Sequence, residues 1–275
     1  MDELRFIDFG LLDVQKIMSY NEALFRTAEK TGESVGFLWT TPKAIIMGYS
    51  QLIEKELNLD RCKALGYEVT RRISGGGMAF SSEKSQMQYG YVGRLEDLPY
   101  DMTESYKEIC GIVVHALEKW GLSGEFKPIN DVLCQGKKIS GSAQTRGENM
   151  LIQHGTLLAD FNIKEMMTCC NIPLEKISDK GIKSVEERLT DLNRALERKV
   201  PLDEAAEAMR MGFEKNFGVR LKESRLTKQE EKLASELLPK YYDEKWVFRY
   251  TRGRTRSCGA YPQSPEQAEF SSKQR

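Results

Sequence analysis

The first patterned run, Leu4 to Phe9, reads as a short strand, and Val14 to Lys30 then places Ile17, Tyr20, Ala23 and Leu24 at helical spacing before a Thr31-Gly32 break. Two apolar runs follow, Gly36 to Thr40 and Ala44 to Tyr49. Only Thr41-Pro42-Lys43 separates them, which predicts a hairpin. A short helix is expected over Asp60 to Ala64, and after Gly66 a strand over Tyr67 to Arg72 that empties into Ile73-Ser74-Gly75-Gly76-Gly77. Met87 to Val92 reads as another strand. The clearest helix spans Thr103 to Trp120, with Tyr106, Ile109, Cys110, Val113, Leu117 and Trp120 on one stripe, so Cys110 belongs to the core.

Asp131 to Asp160 reads as a meander of three strands: Asp131 to Cys134, Lys138 to Gln144 and Met150 to Leu158. Gln135-Gly136 and Gly147-Glu148-Asn149 are the turns. The chain then becomes helical. Lys164 to Cys170 is a short helix, Ala205 to Phe217 carries Ala206, Met209, Phe213 and Phe217 on one face, and Thr227 with Glu230 suits a capping box opening Lys228 to Leu238. Strands and helices mixed, then helices, predict an α+β domain: a mostly antiparallel sheet flanked by helices. Past Thr251 come Arg252, Arg254 and Arg256, then Ser, Gln, Glu and Pro. Residues 249–275 are therefore expected to be a disordered basic and polar tail, with no C-terminal accessory domain, and residues 1–248 the folded domain.

Composition narrows the class of partner. The 275 residues hold 41 Lys+Arg and 41 Asp+Glu, a formal net charge of zero, so a broad electrostatic grip on nucleic acid or anionic lipid is not expected and any anion site must be local. No apolar run approaches the ~20 residues of a membrane helix. The charged start Met1-Asp2-Glu3-Leu4-Arg5 lacks the pattern of a secretory signal, which makes a cytoplasmic location the expectation. Six cysteines, at 62, 110, 134, 169, 170 and 258, and two histidines show no metal-ligand spacing, and all six thiols are expected to be reduced.

Three segments carry candidate chemistry. In Arg71-Arg72-Ile73-Ser74-Gly75-Gly76-Gly77, glycines free to take φ > 0 would bring backbone N–H groups close to an anion, beside two guanidinium groups. The plainer alternative is a glycine-rich turn after two exposed arginines. No nucleotide-binding fingerprint of the P-loop or Gly-x-Gly-x-x-Gly type is present. In the segment Gly136 to Gln144, period-two alternation puts Lys138, Ser140 and Ser142 on one face and Lys137, Ile139 and Gly141 on the other. That lysine either meets a ligand or guards a sheet edge, and Asn130-Asp131 upstream either holds a metal-bound phosphate or forms a turn. The third segment is Gln153-His154-Gly155-Thr156-Leu157-Leu158, where Gly155 suggests close approach of a ligand or neighbouring backbone. His154 is either functional or satisfied inside the fold, and His115, on a helix, is assigned to the satisfied class.

In this order the three segments resemble the lipoate-protein ligase A family, which shares its fold with biotin-protein ligases and octanoyl transferases. The resemblance covers residues 4 to 248. Its marks are Gly48-Tyr49-Ser50-Gln51, the Arg71 to Gly77 loop, Asn130-Asp131, Gly136 to Ala143 and His154 to Leu158. It implies attachment of lipoate, using ATP and magnesium, to a lysine of an apo lipoyl domain of the 2-oxoacid dehydrogenase or glycine-cleavage H-protein type. Lipoyl-adenylate would be the intermediate. Lys138 matches the family's active-site lysine. Arg71, Arg72, Ser74, Gly75, Gly76, Gly77, Met78 and Ala79 would cradle the acyl-adenylate. Asn130 and Asp131 would lie near phosphate and metal, with Asp131 a magnesium ligand, and Ser140, Gly141, Ser142, Ala143, His154, Gly155 and Thr156 would complete the pocket.

Two departures from the family pattern bear on function. Members commonly carry a His-Asp pair a few residues after the three glycines, where this chain reads Met78-Ala79-Phe80-Ser81-Ser82-Glu83, with Ser85-Gln86-Met87-Gln88 following, which leaves the shape of the acyl pocket, and so the substrate, open. Longer ligases add an accessory domain after the helical segment, so this chain is a candidate for a two-part ligase with a separate accessory subunit. The rival reading is an octanoyl transferase working through a cysteine thioester. Gly121 to Ile129 contains no cysteine, Cys134 reads as structural, and Cys169 and Cys170 match the other transferase type only loosely. A reading of another class is a non-catalytic acyl or cofactor binder.

Overall fold

A computed structural model describes residues 2–173 and 177–249, so the expected tail beyond Arg249, with Cys258, lies outside the described residues. Strand β1 (Glu3–Leu11) leads into helix α1 (Val14–Thr31), which stops where Gly32 takes φ 70°, a left-handed conformation that costs glycine little. β2 (Val35–Thr40) and β3 (Ala44–Met47) follow, buried at every position. After α2 (Ile53–Glu56) and α3 (Leu59–Ala64) come β4 (Glu68–Arg71), β5 (Ala79–Ser81) and β6 (Gln86–Arg94).

The expected hairpin does not form. β2 lies parallel to β1 and antiparallel to β6, whereas β3 sits in a separate three-stranded sheet, parallel to β4 and antiparallel to β5. Continuous apolar runs suit strands covered on both faces, and two such strands need not be each other's neighbours. Thr41-Pro42-Lys43 passes the chain from one sheet to the other.

Helix α4 (Met102–Leu117) precedes β7 (Gly124–Lys127) and the meander β8 (Asp131–Cys134), β9 (Lys137–Arg146) and β10 (Met150–Leu158), which pairs as the sequence predicts. Next are α5 (Ile163–Cys169), α6 (Asp179–Glu186), α7 (Leu192–Leu196) and α8 (Leu202–Phe217). β11 (Arg220–Glu223), α9 (Lys228–Tyr242) and α10 (Glu244–Val247) close the described chain. The large sheet runs β11-β1-β2-β6-β10-β9-β8-β7, antiparallel except where β1 meets β2 and β11.

Each face of that sheet has its own core. Ile109, Cys110 and Val113 of α4 and Met209 and Phe213 of α8 pack against Leu38, Tyr89 and Leu157. On the opposite face, Ile17, Met18 and Leu24 of α1 meet Phe37, Trp39 and Ile152. Burial of such side chains contributes about 1.5–3 kcal/mol each and fixes both layers against the sheet. The capping box is present: Thr227 N–H donates to Glu230 Oε2 (2.7 Å) and Glu230 N–H to Thr227 Oγ1 (3.2 Å). The same Glu230 carboxylate accepts two bonds from Arg5 of β1 (2.7 and 2.8 Å), tying α9 to the sheet. His115 departs from expectation: it is partly exposed and pairs with Glu118 (3.0 Å) at the end of α4. No described helix is long and apolar enough to cross a membrane.

Candidate active site

Strand register assembles a cavity on the α1 side of the large sheet, beneath the small one. Residues opposed across neighbouring strands project to the same face. Trp39 opposes Gln88, which opposes Thr156, and the adjacent row reads Phe37, Gly90, His154, Ala143. Gly90 is small because a Cβ there would sit 2.1 Å from the Phe37 ring. These rows, with Met18 of α1, Ile46 of β3 and Phe80 of β5, enclose about 240 Å³.

The floor on β9 differs from simple alternation. Asp131 opposes Gly141 and Val132 opposes Ser140, but Leu133 opposes Lys138, so Ile139 is an extra residue in a β-bulge. The bulge rotates Lys138 onto the face of Gly141 and Ala143, and leaves Ser140 on the other face, correcting the arrangement expected from period two. A side chain at position 141 would begin 2.9 Å from Lys138 Nζ, so glycine makes the room in which the ammonium sits. Asp131 Oδ1 holds that ammonium at 2.7 Å, and Lys138 remains 39% exposed. Its backbone is clamped as well, donating to Arg188 O (2.8 Å) and accepting from Thr190 N–H (2.9 Å). Asn130 grips Ser142 with three bonds: its carbonyl accepts from the Ser142 N–H and Oγ–H, and its Nδ2 donates to Ser142 O.

The arginines serve the loop itself. Arg71, fully buried, donates to the carbonyls of Gly48 (2.7 Å), Tyr49 (3.0 Å), Gln51 (3.0 Å) and Val247 (2.9 Å). Arg72 donates to the carbonyls of Ile46, Gly75 and Gly77 and to Ser74 Oγ. Burial pulls its pKa down to about 10, so the guanidinium stays charged at neutral pH. With those carbonyls turned inward onto Arg72, the N–H groups of Gly75, Gly76 and Gly77 make no hydrogen bond among the described residues and are left for an anion. Gly48 allows the loop to lie close: a Cβ there would be 1.9 Å from the Gly76 carbonyl oxygen.

His154 joins the loop to α1. Asn21 Nδ2 donates to Ile17 O (2.8 Å), which orients its Oδ1 to accept from His154 Nδ1–H (3.1 Å). Nε2 then accepts from Ser74 Oγ–H (2.6 Å), whose oxygen accepts from Arg72 Nε–H (3.0 Å). Burial first, and then the Arg72 charge, pull the His154 pKa from 6.5 down to about 3, so the imidazole is neutral. The unfolded chain takes up this proton near pH 6.5 and the folded chain only near 3. The contribution to stability is therefore complete above pH 6.5 and is lost as pH falls through that window. Unfolding by urea is expected to lose ~2 kcal/mol of stability between pH 7 and 5. This range lies above carboxylate titration, and His154→Gln should flatten the dependence there.

Of the residues singled out from the sequence, Lys138, Arg72, Gly77, Met78, Ala79, Asn130, Gly141, Ser142, Ala143, His154, Gly155 and Thr156 line this one cavity. Arg71, Ser74, Gly75, Gly76, Asp131 and Ser140 do not: the first two brace the loop, Asp131 holds Lys138, and Ser140 faces away. Sequence reading missed Met18, Trp39 and Ile46, which no motif marks, and met Gln86 and Gln88 only within the stretch that departs from the family pattern; the strand register brings them together. Among the described residues no cluster of three His, Cys, Asp or Glu side chains suits a metal ion.

No described cysteine lines the cavity. Cys62, Cys110, Cys134 and Cys169 are buried free thiols, and Cys170 is half-buried. Burial pushes the thiols of Cys110 and Cys170 up to about 11 and that of Cys134 upward. Cys169 is raised by its contact with Cys62 and by burial, while the same contact lowers Cys62, which is inaccessible.

Residues 13–214 match the lipoyl protein ligase A/B catalytic domain family. An octanoyltransferase LipM of Brevibacillus brevis is 26% identical over 90% of this chain and all of its own length. Lipoate-protein ligase A subunit 1 of Thermoplasma acidophilum is 28% identical over 83% of this chain and 90% of its own length. Among solved structures, the bi-partite lipoate protein ligase of the same archaeon, described with its E2 lipoyl domain, superposes with a TM-score of 0.83 at 26% identity, over 93% of this chain and all of that one. A lipoate-protein ligase A bound with ATP shares the fold, with a TM-score of 0.78 at 24% identity over 90% of this chain and 98% of its own. Both the strand architecture and the sequence thus lead to one assignment: this chain belongs to the lipoyl protein ligase A/B catalytic domain family, enzymes of the lipoate ligase and octanoyltransferase type.

Proposed function

We propose that this chain activates lipoate as its adenylate and passes the lipoyl group to a lysine of an apo lipoyl domain, acting with a separate accessory subunit. The observation that carries the reading is the make-up of the cavity: a half-exposed lysine, the Gly77 end of a loop whose amides are free, and no described cysteine in its lining. In the first step a carboxylate oxygen attacks the α-phosphorus of ATP and pyrophosphate leaves. The Gly75 to Gly77 amides would receive phosphate oxygens, and Lys138 would neutralise the attacking carboxylate. In the second step the acceptor amine attacks the acyl carbon, the tetrahedral oxyanion forms beside Lys138, and AMP leaves with the bonding electrons.

Asp131 keeps the ammonium oriented for both steps. Magnesium, when bound, would screen the phosphate charge. Asp131 is the carboxylate available to it here, the remaining ligands being phosphate oxygens and water. The bi-partite archaeal ligase, whose first subunit matches this chain over most of both lengths, supports the two-subunit arrangement and a lipoyl-domain acceptor of the 2-oxoacid dehydrogenase type.

A second reading, transfer of octanoate through a cysteine thioester, is favoured by the octanoyltransferase relatives, one of which aligns over its full length. Single replacement of each of the six cysteines by Ala separates the two. A ligase is expected to keep at least half of its activity in every variant. Complete loss of transfer in one variant that melts like the parent would favour the thioester route.

A further inference from the structure

The far wall of the cavity carries hydrogen-bond donors that nothing in the fold uses. Gln86 is 1% exposed, lines the cavity, and its Nε2 has no partner among the described residues. Trp39 is 2% exposed, lines the same cavity, and its indole N–H is likewise unpartnered. Between them on the sheet, Gln88 is occupied: its Nε2 donates to Ser81 Oγ (3.1 Å), which accepts in turn from Thr41 Oγ1 (2.8 Å). Ser81 lies in the stretch after the three glycines where the chain departs from the family pattern, so that departure falls at this wall.

Position along the sheet tells which end of a substrate meets these donors. Trp39 on β2 is three strand spacings from β9, where Gly141 makes room for the Lys138 ammonium, a span of roughly 14 Å. An extended short acid with its carboxylate at Lys138 therefore lays its tail toward β6 and β2. A buried donor without a partner is left desolvated and unpaired, a cost that a ligand acceptor removes and a hydrocarbon tail does not.

We propose that Gln86 and Trp39 are specificity-determining residues of the acyl cavity, selecting an acid whose far end carries an acceptor atom over a plain saturated chain. The acceptor is a sulfur of a dithiolane or an oxygen of an ω-hydroxy acid. The inference rests on the reading that this cavity takes the acyl tail, whichever route activates it.

Calorimetric titration of the full chain with lipoate, 8-hydroxyoctanoate and octanoate tests it without ATP or acceptor protein. Lipoate or 8-hydroxyoctanoate is expected to bind at least tenfold more tightly than octanoate, the better of the two naming the acceptor as sulfur or oxygen. Gln86→Leu and Trp39→Phe should each narrow the ratio to below about threefold. Gln86→Leu should also leave the melting temperature of the ligand-free chain unchanged or raised, because it removes an unpaired donor. Octanoate binding as tightly as the others, failure of all three acids to bind, or an unchanged preference in both folded variants would overturn the proposal. ATP-dependent modification of a lipoyl domain is scored separately, so the ligase reading can fail while the tail preference stands, and the reverse.

Discussion

Lys138→Ala is expected to slow transfer of the acyl group to a lipoyl domain by about 10³-fold with little change in melting temperature. The ammonium is the cation that β9, the Ile139 bulge and Gly141 together place on the cavity floor. Its charge matters most when negative charge gathers on the carboxylate and then on the tetrahedral oxygen. An electrostatic contact that strengthens toward the transition state lowers the barrier, whereas one equally strong in the ground state does not. Stability should hardly respond, since a 39%-exposed ion pair with Asp131 contributes ~1 kcal/mol or less. Lys138→Arg is not a conservative rescue, because a planar fork needs more room than Gly141 leaves beside a point charge. Single-turnover transfer followed by intact mass, with melting curves as control, checks the expectation. Undiminished transfer in Lys138→Ala would remove this residue from the mechanism.

Arg71→Met should produce the largest loss of stability, about 3–5 kcal/mol, or a fall of roughly 10 °C in melting temperature. Methionine matches the length of the arginine stem, so the loss reports the guanidinium and not an empty space. Four carbonyls, from Gly48, Tyr49, Gln51 and Val247, would lose a buried donor together. Each unpaired buried acceptor costs ~1–3 kcal/mol before relaxation. Arg71→Lys should recover only part, because three donors on a flexible stem cannot reproduce a five-donor planar fork. Acid binding should weaken as well: the Gly48 to Gln51 turn carries the surface on which the Gly76 carbonyl rests. A chemical denaturation series on the three proteins decides the matter, and a loss below 1 kcal/mol in Arg71→Met would contradict the assigned role.

What could be read from the chain and what could not divides along the range of the interactions. α1, α4 and the Thr227/Glu230 capping box are local: period 3.6 and a three-residue spacing contain the whole signal. The meander β8-β9-β10 is nearly local, and its turns mark it. The partners of β2 and β3 are not, because strands buried on both faces carry no alternation to show which neighbour they take. β11 and the five-residue α7 are too short to stand out.

The candidate site follows the same rule. Lys138, the Gly77 end of the glycine loop and His154 were legible from motif chemistry and do meet in one cavity. The roles of Arg71 and Ser140 were not, since a guanidinium that braces carbonyls and one that meets a ligand look alike in sequence, and the bulge at Ile139 reverses which residues share a face with Lys138. Met18, Trp39 and Gln86 reach the cavity from α1, β2 and β6, elements far apart in the chain and joined only by register.

The intact mass of an apo lipoyl domain tests the central claim most directly. The domain is incubated with this chain, its candidate accessory subunit and magnesium, either with ATP and lipoate or with octanoyl carrier protein and no ATP. Adenylate chemistry predicts a mass gain of one lipoyl group only when ATP and lipoate are both present. A mass gain of one octanoyl group from the carrier protein without ATP would contradict that account and turn attention to the cysteines, Cys258 included.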